Sequence, residues 1–181
     1  MNSFNEDNRM LVFTDDITMD DAGHFINAIE LLNARDDKQY KKVRNFKRKP
    51  IKIFIESYGG DVYAMWAIIG AIQNSKATIY TYCRGACMSA GLKIYLAGKK
   101  RFASEQSTFM FHSISQWTGG KMEDLRVNQT QLEVLQKRIN DYVSSRTKLT
   151  KKELDEMIKS NVEHYFDAKK AYELGIVTDM E

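Results

Sequence analysis

Three side chains in this sequence have the types that acyl-transfer chemistry uses: a serine, a histidine and a carboxylate. Ser89 lies where a helix is expected to begin, His112 ends an apolar run, and Glu163 precedes the expected last helix. A serine hydroxyl is a weak nucleophile until a base takes its proton, and a carboxylate can hold that base in the useful tautomer. The set is compatible with a Ser-His-acid hydrolase, although composition alone does not bring the three groups together.

Each of these residues also has an ordinary structural interpretation. Ser89 lies in a run of small residues, where a serine commonly packs or caps a helix, and the G-x-S-x-G elbow of α/β-hydrolases is absent. A histidine at the end of a strand, such as His112, is often structural. Asp167 fits the N-cap of the helix that follows it, and His24 fits an exposed position on the first helix.

Two glycine-bearing turns, at residues 59–60 and 85–91, follow expected strands and open expected helices. Such turns bind phosphate in some proteins, and in others they present backbone N–H groups to a developing oxyanion. Neither turn fits G-x-G-x-x-G or G-x-x-x-x-G-K-[ST], so a nucleotide site has little support. We therefore predict no cofactor and no bound metal.

The chain has 181 residues, a length that predicts a single domain over residues 1–181. The net charge of +3 is too balanced to require a nucleic-acid partner. Its two cysteines, Cys83 and Cys87, lack zinc or redox spacing and indicate a reduced compartment. No run approaches the ~18 apolar residues of a membrane helix, and the polar start lacks a signal-peptide pattern, so we predict a cytoplasmic location without membrane contact.

Short β-branched runs alternate with helical patterns along the chain, which predicts an α/β layered domain. Strands are expected at residues 10–13, 51–56, 78–82 and 108–111, and helices at 18–34, 62–73, 122–144 and 150–158. The Thr18/Asp21 and Thr150/Glu153 pairs fit capping boxes. The strongly basic segment 35–50 is expected to be an exposed loop.

Four segments, in order and at matching spacing, resemble motifs of the ClpP family of self-compartmentalised serine peptidases. Residues 57–60 (SYGG) resemble its S-P-G-G turn, and residues 83–91 (CRGACMSAG) resemble its C-x-G-x-A-A-S-M-G nucleophile segment. Residues 109–112 (FMFH) resemble F-M-I-H, and residues 168–177 (AKKAYELGIV) resemble A-x-E-A-x-E-Y-G-L-V. The resemblance extends from about Met10 to Asp179.

The resemblance implies the ClpP/crotonase fold, with repeated ββα units and a protruding handle helix at about residues 122–145. It also implies roles for particular residues. Ser89 would be the nucleophile, His112 the general base and acid, and the N–H groups of Gly60 and Ala90 the oxyanion hole. The family's third residue is an aspartate, and the matching position here holds Glu163.

The family assembles as heptameric rings, often stacked, that cleave peptides and unfolded proteins delivered by AAA+ unfoldases. The same homo-oligomeric assembly and substrates are therefore expected here. Two departures weaken the expectation of an unfoldase partner: few residues precede Met10 to form gating loops, and Lys52 replaces an aromatic of the docking pocket. Such divergence also fits a phage or mobile-element protein that acts in capsid maturation.

Three alternatives to an active ClpP-like peptidase remain open. The chain is a weak or inactive ring subunit if Glu163 leaves the triad misaligned. A crotonase-type enzyme acting on acyl-CoA thioesters would use the same fold and paired N–H donors. A Ser–Lys peptidase would use Lys93, which lies four residues after Ser89 and on the same helical face.

Overall fold

The computed structural model describes residues 3–115 and 121–181, which form two β-sheets and six helices. The helices are α1 (Met19–Lys42), α2 (Val62–Asn74), α3 (Ala90–Leu96), α4 (Met122–Arg146), α5 (Lys151–Lys159) and α6 (Ala168–Glu173). The strands are β1 (Ser3–Asn5), β2 (Met10–Phe13), β3 (Ile51–Ile55), β4 (Ile79–Cys83), β5 (Ala86–Met88), β6 (Lys100–Ala103), β7 (Thr108–Phe111), β8 (His164–Asp167) and β9 (Asp179–Met180). The predicted α/β architecture is confirmed.

The larger sheet has the strand order β1-β2-β3-β4-β6-β9 and is parallel except for the first pair. The smaller sheet has the order β5-β7-β8, with β5 and β7 parallel and β7 and β8 antiparallel. Alternate residues of β3 are buried, and its Ile51, Ile53 and Ile55 contribute to a core shared with α1, α2 and α3. The smaller sheet carries the segments on which the predicted chemistry depends.

The prediction of an exposed loop over residues 35–50 is wrong for its first half, because α1 continues through Lys42. Asp36 stays buried on the inner side of this helix and pairs with Arg9 at 2.9 Å. Asp37 pairs with Arg48 and Lys76, both at 2.6 Å. Lys38, Lys41 and Lys42 are exposed, so the first part of the charge run is the outer side of a helix and only residues 43–50 form a loop.

Both predicted capping boxes are present, at Thr18 with Asp21 and at Thr150 with Glu153. Gly175 has φ +70° just after α6, a conformation that ends many helices. Helix α4 matches the predicted handle in its bounds, and its described side chains from 123 to 134 are exposed or half-buried. Residues 116–120, which precede α4, lie outside the described residues.

Candidate active site

Ser89 occupies a strained turn between β5 and α3. Its backbone has φ +49° and ψ −120°, a conformation that non-glycine residues rarely adopt. The turn is fixed on both sides, because Ser89 N donates to Met110 O at 3.0 Å and Met88 N donates to Ser57 O at 2.9 Å. Backbone strain that the surroundings enforce is typical of functional turns. The half-buried hydroxyl is therefore held in a defined position.

His112 lies directly beside this serine. The parallel register pairs Met88 with Met110, so β5 and β7 end at the same edge of the smaller sheet. His112 Nε2 lies 2.7 Å from Ser89 Oγ, which is hydrogen-bond distance. The structure therefore brings together two of the side chains singled out in the sequence, through strands that adjoin in space but are separated along the chain.

Glu163 directly precedes β8, and the antiparallel register pairs Phe111 with His164, the residues next to His112 and Glu163 along the chain. The exposed Glu163 carboxylate accepts a hydrogen bond from the Tyr165 hydroxyl at 2.6 Å. Within the described residues it makes no hydrogen bond to His112. The serine and histidine are thus hydrogen-bonded to each other, whereas the carboxylate is hydrogen-bonded to Tyr165.

The pKa of His112 is lowered from its ordinary value. Burial is the largest cause, and the positive charge of Lys93 lowers this pKa further. The Glu163 carboxylate acts in the opposite direction and raises it. A lowered pKa keeps the imidazole neutral near pH 7, the form that accepts a proton from serine.

The other acidic and histidine candidates serve elsewhere. Asp167 caps α6 by accepting from Lys170 N at 2.7 Å. It pairs in register with Thr108, four residues before His112, a separation of about 13 Å along a strand. His24 is exposed on α1, as expected. Asp167 is therefore too far along β8 to orient His112.

The Gly59-Gly60 turn lies against Ser89. A Cβ atom at Gly59 would come within 2.6 Å of Ser89 Cβ and 3.4 Å of Ala90 N, and its φ of +132° favours glycine. Gly60 packs so closely on Ile17 that a Cβ there would collide with the Ile17 backbone. Over the described ranges, neither Gly60 N–H nor Ala90 N–H donates a main-chain hydrogen bond. Both donors are thus free for a substrate oxygen.

A cavity of about 230 Å³ opens beside Ser89 and His112. The first turn of α2 and two residues of α4, Leu132 and Ile139, form part of its wall, and Lys93 of α3 also lines it. The Lys93 ammonium lies 4.8 Å from the centroid of the Phe111 ring. Among the described side chains, His112 and not Lys93 makes the hydrogen bond to Ser89 Oγ.

No cluster of three or more His, Cys, Asp or Glu side chains suited to a metal ion occurs in the described part of the chain. Within residues 3–115 and 121–181, no helix combines the length and the apolar character that crossing a bilayer requires.

A family model described as Clp protease matches residues 3–180. The chain belongs to the Clp protease family. An "ATP-dependent Clp protease proteolytic subunit 2" of Treponema pallidum is 31% identical over 135 residues, which cover 73% of this chain and 66% of that protein. A protein of the same description from Borreliella burgdorferi is 29% identical over 176 residues, covering 95% of this chain and 82% of the relative.

A solved structure of a ClpP1 point mutant from Listeria monocytogenes superimposes with a TM-score of 0.82. The two sequences are 23% identical, and the match covers 97% of this chain and 92% of that one. This similarity confirms the predicted ClpP fold. The family membership confirms the resemblance to ClpP that was inferred from four short motifs.

Proposed function

We propose that this chain is a serine endopeptidase of the Clp type that hydrolyses peptide bonds of peptides or unfolded proteins. The observation that carries the proposal is the 2.7 Å contact between Ser89 Oγ and His112 Nε2, on a strained turn beside two free N–H donors. This contact also favours His112 over Lys93 as the base, and hydrolysis over acyl-CoA chemistry.

In the proposed reaction, Ser89 Oγ attacks the scissile carbonyl carbon while its proton passes to His112 Nε2. The carbonyl oxygen becomes an oxyanion, which the N–H groups of Gly60 and Ala90 stabilise, a donor typically contributing about 3 kcal/mol. The C–N bond then breaks as His112 returns the proton to the leaving nitrogen. Water hydrolyses the acyl-enzyme by the same steps, with His112 as base and then acid.

Glu163 has an electrostatic role in this proposal. It favours the imidazolium that forms during attack, because its charge raises the pKa of His112. The same geometry supports a second candidate, a weakly active or inactive ring subunit. In that candidate, the hydrogen bond of Glu163 to Tyr165 leaves the histidine without an orienting partner.

A homo-oligomeric ring is part of the proposal. Val127 and Val134 on α4 are 62% and 52% exposed, and their spacing of seven residues places them on one face of the helix. Burial against another copy of the chain would remove them from water. Partnership with an AAA+ unfoldase remains a prediction, and the exposed Lys52 on β3 still weighs against it.

The proposal is tested by a fluorophosphonate probe, which reacts with an activated serine. We expect the probe to label the wild-type protein at Ser89, and the Ser89→Ala variant to lose both labelling and peptide hydrolysis. Another hydroxyl of the chain, Ser104, provides the matched control, because Ser104→Ala should be labelled normally. A folded, oligomeric wild-type protein that no probe labels would overturn the peptidase proposal and support the inactive subunit.

A further inference from the structure

Lys93 is a charged side chain enclosed in the wall of the cavity. It is 3% exposed and lies on α3, where every residue is buried. It follows Ser89 by four residues, so the two share a face of the helix about one turn apart. Lysine is rarely buried without a partner, because removing an ammonium group from water is costly. Its place beside the reactive serine therefore calls for a functional explanation.

In the described part of the chain, no carboxylate counter-charge lies beside Lys93. Its ammonium lies over the face of Phe111, and no carboxylate of the described residues forms an ion pair with it. Asp61 lines the same cavity, but its carboxylate accepts from Tyr63 N and Ala64 N at 2.9 and 2.7 Å. That carboxylate therefore serves as the cap of α2. Burial lowers the pKa of Lys93 to about 7, and the nearby Cys87 offsets this effect only in part.

A substrate carboxylate would complete this arrangement. The cavity is large enough for several water molecules at about 30 Å³ each, so a side chain has room to enter. The residue whose carbonyl Ser89 attacks has its side chain nearest to the cavity, because its Cα is bonded to the reacting carbon. Met65, Leu132 and Ile139 provide apolar contacts for a methylene stem, and Lys93 provides a cation for its end.

We propose that Lys93 makes this cavity a subsite for an acidic side chain, so that the enzyme cleaves preferentially after glutamate. The inference rests on the proposed peptidase function and adds its substrate class. Glutamate is favoured over aspartate because its additional methylene crosses the apolar part of the wall. Binding replaces the lost hydration of the ammonium with a charge-assisted hydrogen bond.

The test compares peptides that differ only in glutamate or glutamine before the scissile bond. We expect kcat/KM to be about 10- to 100-fold higher for glutamate, as a hydrogen bond between charged groups allows. Lys93→Met removes the charge and keeps an unbranched side chain that is one atom shorter, so the ratio should fall to one or below. Lys99→Met, which makes the same charge change at an exposed site, should keep the wild-type ratio.

Lys93→Gln is a second variant in case the methionine variant folds poorly, and it should lose the preference in the same way. Equal kcat/KM for the two wild-type substrates would overturn the subsite while leaving the peptidase proposal standing. A preference for glutamate at any other position would overturn the assignment as well.

A binding measurement tests the glutamate subsite independently of whether the protein catalyses hydrolysis. Ser89→Ala protein is titrated with acetylated peptides that end in glutamate amide or glutamine amide, so that no terminal carboxylate competes. We expect at least tenfold tighter binding of the glutamate peptide, and none of this difference when Lys93→Met is added. Equal binding would overturn the subsite even in a protein that hydrolyses nothing.

Discussion

The two halves of the candidate triad are held in different ways. Ser89 and His112 emerge from β5 and β7, whose Cys87, Phe109 and Phe111 are fully buried, and the two side chains are in hydrogen-bond contact. Glu163 precedes β8 at the edge of the smaller sheet, is exposed, and bonds Tyr165. The serine–histidine pair is therefore fixed by the core, whereas the acid depends on a surface side chain that already has another partner.

The largest expected loss of activity comes from removing the histidine of the serine–histidine pair. His112→Ala should lower kcat by about 10⁴-fold, because no other described side chain makes a hydrogen bond to Ser89 Oγ through which it could take the proton. Steady-state peptide hydrolysis measures the loss, and circular dichroism checks the fold. Activity that survives in His112→Ala and disappears in Lys93→Ala would reverse the assignment and favour a Ser–Lys mechanism.

A smaller loss of activity is expected from a substitution in the Gly59-Gly60 turn, which packs against Ser89. Gly59→Ala places a Cβ atom 2.6 Å from Ser89 Cβ, so the turn or the serine must shift. Moving the serine by about 1 Å to relieve this clash should lower kcat by about 10²-fold, because it disturbs the geometry of attack.

Gly23→Ala is the control for this substitution, because a Cβ there meets nothing within 4 Å on α1. That variant should keep full activity and gain about 0.5–1 kcal/mol in unfolding free energy. Wild-type kcat in Gly59→Ala would show that the turn does not position the nucleophile.

The smallest loss of activity is expected from a substitution of the exposed Glu163. Glu163→Gln removes a negative charge that raises the pKa of His112, so this pKa should fall and the acid limb of the kcat/KM profile should move to lower pH. The loss in kcat should be about three- to tenfold, as befits an exposed charge. Exposed Glu173→Gln is the control and should leave the profile unchanged.

A loss near 10⁴-fold in Glu163→Gln would instead show that the carboxylate orients the imidazole directly during turnover. Tyr165→Phe sharpens the comparison further, because it frees Glu163 from its present hydrogen bond. Increased hydrolysis in that variant would show that the tyrosine restrains the acid.

Much of this arrangement was predictable because it depends on local signals. The FMFH run and the CRGACMSAG segment identified the strand and turn that carry His112 and Ser89, and the capping boxes located two helix starts. The continuation of α1 to Lys42 was not predictable from charge, because its ion pairs join Asp36 and Asp37 to distant residues. The roles of the site residues remain predictions.

The hydrogen-bond partner of Glu163 and the burial of Lys93 could not be predicted from the sequence either. Tyr165, two residues from Glu163, competes with His112 for its carboxylate. Only the side-chain conformation in the folded chain decides which of the two the carboxylate binds. Lys93 was recognised as a neighbour of Ser89 on a helical face. Its burial, and with it the lowering of its pKa to about 7, depends on α4 and β7 closing over it.

The Gly59-Gly60 turn has a further consequence through its neighbour Ile17. Ile17 N donates to Gly59 O and Asp61 N donates to Ile17 O, both at 2.8 Å. These two bonds tie the turn to the link between β2 and α1, so any displacement of that link would also move Gly60, the proposed oxyanion donor.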